Sequence, residues 1–301
     1  FCIISHASLK PSAPQNPPMP QSLRMTIVVE NSASKRDIRL WAQHGLSIFL
    51  EIEIEGGERM NLLWDTGASS EVMLHNAAAL NIDPDALDLI CLSHGHYDHT
   101  GGLMGLLQKR KERVPVLCHP AVFAPKLKAR PALKFIGLPF TRDQAVGGIW
   151  LECSGPVPLA PGLWSTGEIP RVEAFEDVQG FWTFREGRYC PDAIPDDQAL
   201  AVDIAGKGLA VVAGCAHSGI INTIRHALEI TGAEKLYAVI GGFHLTGADE
   251  CRIERTVQAL KELHPASVRP GHCTGERAVC RLEEAFGDRC SPLAVGDSIE
   301  L

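Results

Sequence analysis

Apolar and polar positions alternate along Leu46-Ser47-Ile48-Phe49-Leu50-Glu51-Ile52-Glu53-Ile54, the period of a half-buried strand. Gly56-Gly57 then turns the chain into Met60-Asn61-Leu62-Leu63-Trp64, so the two runs read as a hairpin. Leu87-Asp88-Leu89-Ile90-Cys91-Leu92 reads as a buried strand, and Leu103-Met104-Gly105-Leu106-Leu107 as the opening of a helix over 101–112. The same pattern predicts strands at 26–29, 114–118, 199–204, 208–212, 236–240 and 267–269. Helices are expected through 77–80, over 248–263 and over 275–286. Strands followed by helices in both halves predict an α/β chain, an αββα sandwich with two sheets face to face and helices outside.

Two stretches break the pattern. Residues 120–195 are rich in Pro and Gly and carry Trp164, Phe175, Phe181, Trp182, Phe184 and Tyr189. That is too long for a plain connection, so it should hold short strands and a flap. Its aromatics suit either the core beneath a flap or a stacking surface for a flat ring. Residues 1–24 include Pro11-Ser12-Ala13-Pro14-Gln15-Asn16-Pro17-Pro18-Met19-Pro20, which cannot build a core and reads as a flexible tail. A single domain is therefore expected over 25–301, starting near Met25, with the preceding segment as additional sequence. A secretory signal fits poorly, because the segment lacks a basic start and a long apolar middle.

Composition narrows the function classes. Apolar residues make up 45% of the 301, yet no run approaches the ~18 apolar residues of a membrane span. Asp plus Glu number 36 against 28 Lys plus Arg, which disfavours nucleic acid or an anionic membrane as partner. Lys109-Arg110-Lys111 and Lys126-Leu127-Lys128-Ala129-Arg130 read as solvated faces. Ten cysteines lie scattered with no Cys-x-x-Cys, as expected of buried thiols in a reducing cytoplasm.

The chemistry concentrates in Ser93-His94-Gly95-His96-Tyr97-Asp98-His99-Thr100-Gly101-Gly102. Three imidazoles and a carboxylate follow a buried strand and precede a helix, so they can converge beyond the sheet edge. That donor set suits zinc, iron or manganese, and the absence of a Cys pair argues against a closed structural zinc site. The alternative is a surface loop that happens to be rich in histidine. A recurring local grammar favours the site: strand, then Asp or His, then Ser or Thr with Gly, then helix. It appears at Asp65-Thr66-Gly67, His99-Thr100-Gly101, His217-Ser218-Gly219, His244-Leu245-Thr246-Gly247 and His272-Cys273-Thr274-Gly275. Ser or Thr at these points can cap the helix, and helix N-termini gathered at one edge favour an anion such as phosphate.

His94-x-His96-x-Asp98-His99, preceded by Asp65-Thr66-Gly67 and followed by strand-end histidines, resembles the metallo-β-lactamase fold superfamily. The resemblance runs from Met25 to the C-terminus. Gly214-Cys215-Ala216-His217-Ser218-Gly219, Gly241-Gly242-Phe243-His244-Leu245 and Gly271-His272-Cys273-Thr274-Gly275 are similar to the branch labelled 7,8-dihydropterin-6-methyl-4-(β-D-ribofuranosyl)aminobenzene-5′-phosphate synthase, a pterin-to-arylamine condensation. It implies two facing mixed sheets. It also implies His94 and His96 on a first metal, Asp98 and His99 on a second, and His272 as the late histidine of the second. Two slots depart from the common pattern. Pro195-Asp196-Asp197-Gln198 stands where many members have a His, and Gly214-Cys215-Ala216-His217 where many carry a bridging Asp. His217 is expected to fill the gap rather than Cys215, because it begins the Ser-Gly turn. A first metal held weakly, or a single metal in practice, is the corollary.

Asp65 is expected to accept a hydrogen bond from a liganding imidazole. His244 is read as ligand, proton donor or substrate contact. Arg171, Ser218, Thr274 and His119 are candidates for substrate binding, although Arg171 reads equally as surface and His119 as structural. His6, His44, His75, His226 and His264 lack such context and read as ordinary. The expected cofactor is one or two divalent ions, zinc first, with manganese or iron as alternatives. The expected activity is a metal-activated water attacking a small, phosphorylated or phosphodiester-type substrate, with Asp98 or His244 moving the proton. The alternatives are the pyrophosphate-releasing condensing transferase, a non-hydrolytic iron redox or metal-binding protein, and, least favoured, a nuclease. The partner is then an anionic small molecule, with no nucleic acid and no membrane.

Overall fold

The computed structural model describes residues 19–301 except 36, 130 and 178. In chain order the strands begin with β1 (Pro20–Val29), β2 (Ser47–Ile54), β3 (Arg59–Trp64), β4 (Leu89–Cys91), β5 (Val114–Cys118), β6 (Leu127–Lys128), β7 (Lys134–Phe135) and β8 (Gly148–Glu152). They continue with β9 (Val157–Ala160), β10 (Leu163–Ser165), β11 (Phe181–Arg185), β12 (Arg188–Pro191), β13 (Ala199–Ile204), β14 (Gly208–Ala213), β15 (Leu236–Gly242), β16 (Ser267–Gly271) and β17 (Ser298–Glu300). The helices are α1 (Ser70–Ala79), α2 (Tyr97–Thr100), α3 (Leu103–Lys109), α4 (Ile220–Thr231), α5 (Glu250–Glu262) and α6 (Glu276–Phe286).

Period-two burial sorts these strands into facing layers. One sheet has seven strands in the order β17-β1-β2-β3-β4-β5-β8, and the other six in the order β16-β15-β14-β13-β10-β9. Ile48, Leu50, Ile52 and Ile54 of β2 meet Leu200, Val202 and Ile204 of β13 and Ala210 and Val212 of β14 in the central core. The alternate residues point outward. Leu209 and Val211 pack under α4, α5 and α6, while Phe49, Leu63 and Ile90 pack under α1 and α3. The αββα order follows, because each strand must bury both faces and each helix one.

Two expectations need correction, over the N-terminal tail and the helix after the histidine loop. The tail assigned to 1–24 overlaps β1, where Pro20 pairs with Ile54 and Leu23 with Ile52. Residues 1–18, with His6 and most of the Pro-rich run, lie outside the described residues. The helix expected over 101–112 is shortened to α3 (Leu103–Lys109), with the single turn α2 ahead of it; between the two, Gly101 and Gly102 press against the carbonyls of Ala68 and Thr66. Within 120–195 the flap is a third sheet of four short strands, order β12-β11-β6-β7. Among the described residues, no helix is long and apolar enough to cross a membrane.

Strand direction positions the site. β3 and β4 run parallel, as do β14, β15 and β16, so their C-terminal ends reach one rim. Asp65, the 93–99 loop, Cys215 with His217, His244 and His272 leave from those ends. Among the described residues, four of the eight non-glycine positions with φ in the left-handed region, Asp65, Ala216, His244 and His272, sit on this rim. Each costs on the order of 1–3 kcal/mol, a strain typical of functional sites.

Candidate metal centre

Two groups of donor atoms meet at the rim. In the first, His94 Nε2 lies 2.9 Å from His96 Nδ1 and 3.2 Å from His217 Nε2. In the second, His99 Nε2 lies 3.1 Å from His272 Nε2 and 3.1 Å from Cys215 Sγ, while Asp98 Oδ2 stands 3.4 Å from His272 Nε2 and 3.9 Å from His99 Nε2. Nitrogens on one tetrahedral zinc, with bonds near 2.0–2.1 Å, would lie about 3.3 Å apart. The spacing of both groups matches that edge.

The outer hydrogen bonds fix which nitrogens carry hydrogen. Ser93 Oγ donates to Asp65 Oδ2 (2.7 Å), so it accepts from His94 Nδ1 at 2.9 Å, leaving His94 Nε2 bare. His99 Nδ1 donates to Asp65 Oδ2 at 2.7 Å. Asn31 donates through Nδ2 to His272 O, which turns its Oδ1 toward His272 Nδ1 at 3.1 Å. The Nε2 lone pairs of His99 and His272 therefore face each other, an arrangement that needs a cation or a proton between them. His96 Nε2 and His217 Nδ1 are buried without a partner among the described residues, so no tautomer satisfies the first group either. Both groups fit a divalent ion, the first through nitrogen donors alone and the second through nitrogen, oxygen and sulfur.

Burial pushes the pKa of His94, His96 and His217 well below the usual imidazole value, and neighbouring imidazoles push the same way. These rings are neutral, as a metal requires. Burial also disfavours charge on His99, but the carboxylates of Asp65 and Asp98 outweigh it and lift its pKa to about 9. The stability contributed by that extra proton is complete below about pH 6.5 and is lost as pH rises through about 9. Chelator-treated protein should thus lose about 3 kcal/mol between pH 6.5 and 9. It should also weaken below pH 6.5, where unfolding lets His94, His96 and His217 take up protons. Urea midpoints across that range check this. Added zinc should remove the alkaline loss, and a flat chelated profile would contradict the assignment.

The loop carrying the ligands is held from behind. Gly95 N donates to Asp196 Oδ2 (2.7 Å), and Asp196 Oδ1 meets Lys126 Nζ at 2.5 Å. Asp192 Oδ2 lies 3.3 Å from the same ammonium, and Lys126 is only 1% exposed. A Cβ at Gly95 would meet Val122 O at 2.3 Å, so only glycine lets the loop approach this closely.

Asp65, with its hydrogen bonds to His99 and Ser93, stands where an orienting carboxylate is expected. His244 lies beside His217, ring centroids 4.2 Å apart, with Nδ1 buried and unpartnered among the described residues. Cys215, set aside above in favour of His217, is brought to the second group while His217 joins the first. The two strand-end residues supply both groups. His44, read as ordinary, places Nε2 3.1 Å from Asp98 Oδ2 at the pocket mouth, and that hydrogen bond raises its pKa. Its only sequence signal was a position ahead of β2.

Four candidates for substrate binding are placed elsewhere. Arg171 Nη1 donates to His217 O (2.8 Å) and Nη2 to Ala193 O, so its guanidinium braces the ligand loops from behind. Thr274 Oγ1 is fully buried, donating to Gly271 O and accepting from Phe243 N. His119 Nδ1 accepts from Ala121 N as a local cap. Ser218 lines a separate cavity with Arg171, and its N–H donates to Asp197 Oδ2 (2.7 Å). Nor does its hydroxyl cap α4. The N-cap is Gly219, and the Glu176 carboxylate accepts from Ile221 N and Asn222 N at 2.9 and 2.8 Å. That helix N-terminus already holds an anion, supplied by the chain itself.

Residues 44–187 match the sequence profile of the metallo-β-lactamase superfamily. The chain is 37% identical over 268 residues to 7,8-dihydropterin-6-methyl-4-(β-D-ribofuranosyl)-aminobenzene-5′-phosphate synthase of Methanocaldococcus jannaschii, covering 86% of this chain and 90% of that one. Among solved structures, a metal-dependent hydrolase of the β-lactamase superfamily superposes with TM-score 0.77 at 26% identity, over 93% of this chain and 99% of that one. Zinc-bound PqqB of Methylobacterium extorquens shares the fold, with TM-score 0.52 at 14% identity over 92% and 100% of the two chains. Sequence match, whole-length relative and paired donor groups agree: the chain belongs to the metallo-β-lactamase superfamily.

Proposed function

We propose that the protein is a metal-dependent hydrolase that cleaves a small phosphorylated or phosphodiester-type substrate. The observation that carries this reading is the pair of abutting donor groups beside a pocket of about 570 Å³, large enough for a small molecule. Ions held by His94, His96 and His217, and by Asp98, His99, Cys215 and His272, would acidify a water and polarise the substrate oxygen. The remaining steps belong to the chain. His44 and Asp98 form a hydrogen-bonded path from solvent for a proton, and His244, which lines the pocket beside His217, would serve as donor to a leaving group. Phe181, over His96 at a centroid distance of 5.3 Å, excludes water from that side.

Zinc- or manganese-loaded protein should turn over bis(4-nitrophenyl) phosphate in a chelator-sensitive way. No turnover with zinc, manganese or iron would remove the hydrolytic reading.

A second reading is supported by the 37% identity with the named synthase and by Phe181 as a platform for a flat ring. Here an arylamine, not water, would be the attacking partner, and pyrophosphate the group released. Pyrophosphate release that requires both a dihydropterin diphosphate and the arylamine supports this reading. Release without the amine returns the protein to the hydrolases.

A further inference from the structure

One thiol on the pocket wall has no part in the chemistry above. Cys273 follows the ligand His272 directly after β16, and it lines the pocket together with Cys215. Its Sγ stands 3.4 Å from Cys215 O, and the two sulfurs lie within 4.8 Å of each other and of a His272 nitrogen. A glycine makes the meeting possible. A Cβ at Gly242 would lie 2.6 Å from Cys273 Sγ and 3.3 Å from Cys215 Cα, so any larger residue would crowd the pair. Rotation about χ1 swings a cysteine sulfur by up to about 3 Å, enough to bring this pair to a disulfide length near 2.05 Å.

Among the described residues, no other group of candidate ligands holds two sulfurs. Cys91 and Cys118 are wholly enclosed, whereas Cys273 is 9% exposed where it meets the pocket. Cys251 and Cys280 are exposed, but they belong to α5 and α6 on the outer face. Cys215 already has a task. Its Sγ, 3.1 Å from His99 Nε2, supplies the sulfur of the second donor group. A sulfur bonded to another sulfur is no longer an anionic ligand, so joining the pair would leave that group with Asp98, His99 and His272.

We infer that Cys215 and Cys273 form a modification site, at which a hydroperoxide entering the pocket joins the two sulfurs and so expels the ion of the second group. The peroxide is the two-electron oxidant. Cys273, the more accessible thiol, attacks one peroxide oxygen. The O–O bond breaks, water or an alcohol leaves, and Cys273 becomes a sulfenic acid. Cys215 then attacks that sulfur, the S–O bond breaks, and the hydroxyl leaves as water with the Cys215 proton. Where an ion occupies Cys215 instead of a proton, the ion departs and hydroxide is released. The first group holds no sulfur and keeps its ion. The inference rests on the two donor groups and not on which bond the protein cuts.

Zinc-loaded protein treated with hydrogen peroxide is the test, read by a colorimetric zinc indicator and by peptide mapping without reduction. One zinc should leave per chain while two thiols disappear, in step with a peptide pair joining 215 to 273. Dithiothreitol with fresh zinc should reverse both changes, and chelated protein should link faster than loaded protein. In Cys273→Ser the release should be roughly tenfold slower, because the enclosed, metal-held Cys215 must then be oxidised directly. Absence of the 215–273 linkage, linkage that leaves both ions in place, or release as fast in Cys273→Ser as in the parent overturns the site. Turnover of bis(4-nitrophenyl) phosphate by untreated protein is a separate readout. Its failure with the linkage and zinc release intact would remove the hydrolase and leave the oxidation site.

Discussion

His96→Ala is expected to lower turnover of bis(4-nitrophenyl) phosphate by roughly a thousandfold or more, the rate equivalent of about 4 kcal/mol of lost electrostatic stabilisation. The substitution removes one of three nitrogens in the first group and leaves His94 and His217 3.2 Å apart with no third donor. Metal content should fall along with activity, and the second group should keep its ion. The fold should survive. His96 is a buried neutral imidazole with one unpartnered nitrogen, so its removal relieves as much as it costs. Element analysis and thermal unfolding on one sample separate these effects. Full turnover at unchanged metal content would dissolve the first group as a functional unit.

Lys126→Met is expected to have the largest effect on stability. The ammonium is enclosed with Asp192 and Asp196, and burial already pushes the Asp196 pKa up against it. Methionine keeps the volume but strands two carboxylates, a loss on the order of 3–5 kcal/mol in urea unfolding. The effect should reach the metal, because Asp196 also holds Gly95 N between His94 and His96. Zinc affinity should fall in the same variant. Lowering the pH should narrow the stability gap between variant and parent, since protonation relieves the stranded acids. A loss below about 1 kcal/mol would show the cluster to be incidental.

Much of this architecture could be read along the chain because its signals are local. Period-two burial in β2, β13 and β14 reports a strand between two packed faces wherever it occurs. The His94-to-His99 spacing likewise fixes a compact turn between a strand and a helix. What misled was long-range. Ser218 and Thr274 have the composition of caps and phosphate contacts. Yet Glu176, 42 residues before Ser218 in number, reaches the α4 N-terminus first.

The division is physical. Short-range sterics and periodicity decided that this chain forms strands, where they end, and that imidazoles and carboxylates cluster after one of them. Only tertiary packing decided which lone pairs meet. It set Cys215 and His217, two residues apart, into different donor groups, and it brought His44 to Asp98. It also enclosed Lys126 with acids more than sixty positions away. Such pairings depend on the relative placement of strand ends, and no repeating pattern in the chain encodes that distance.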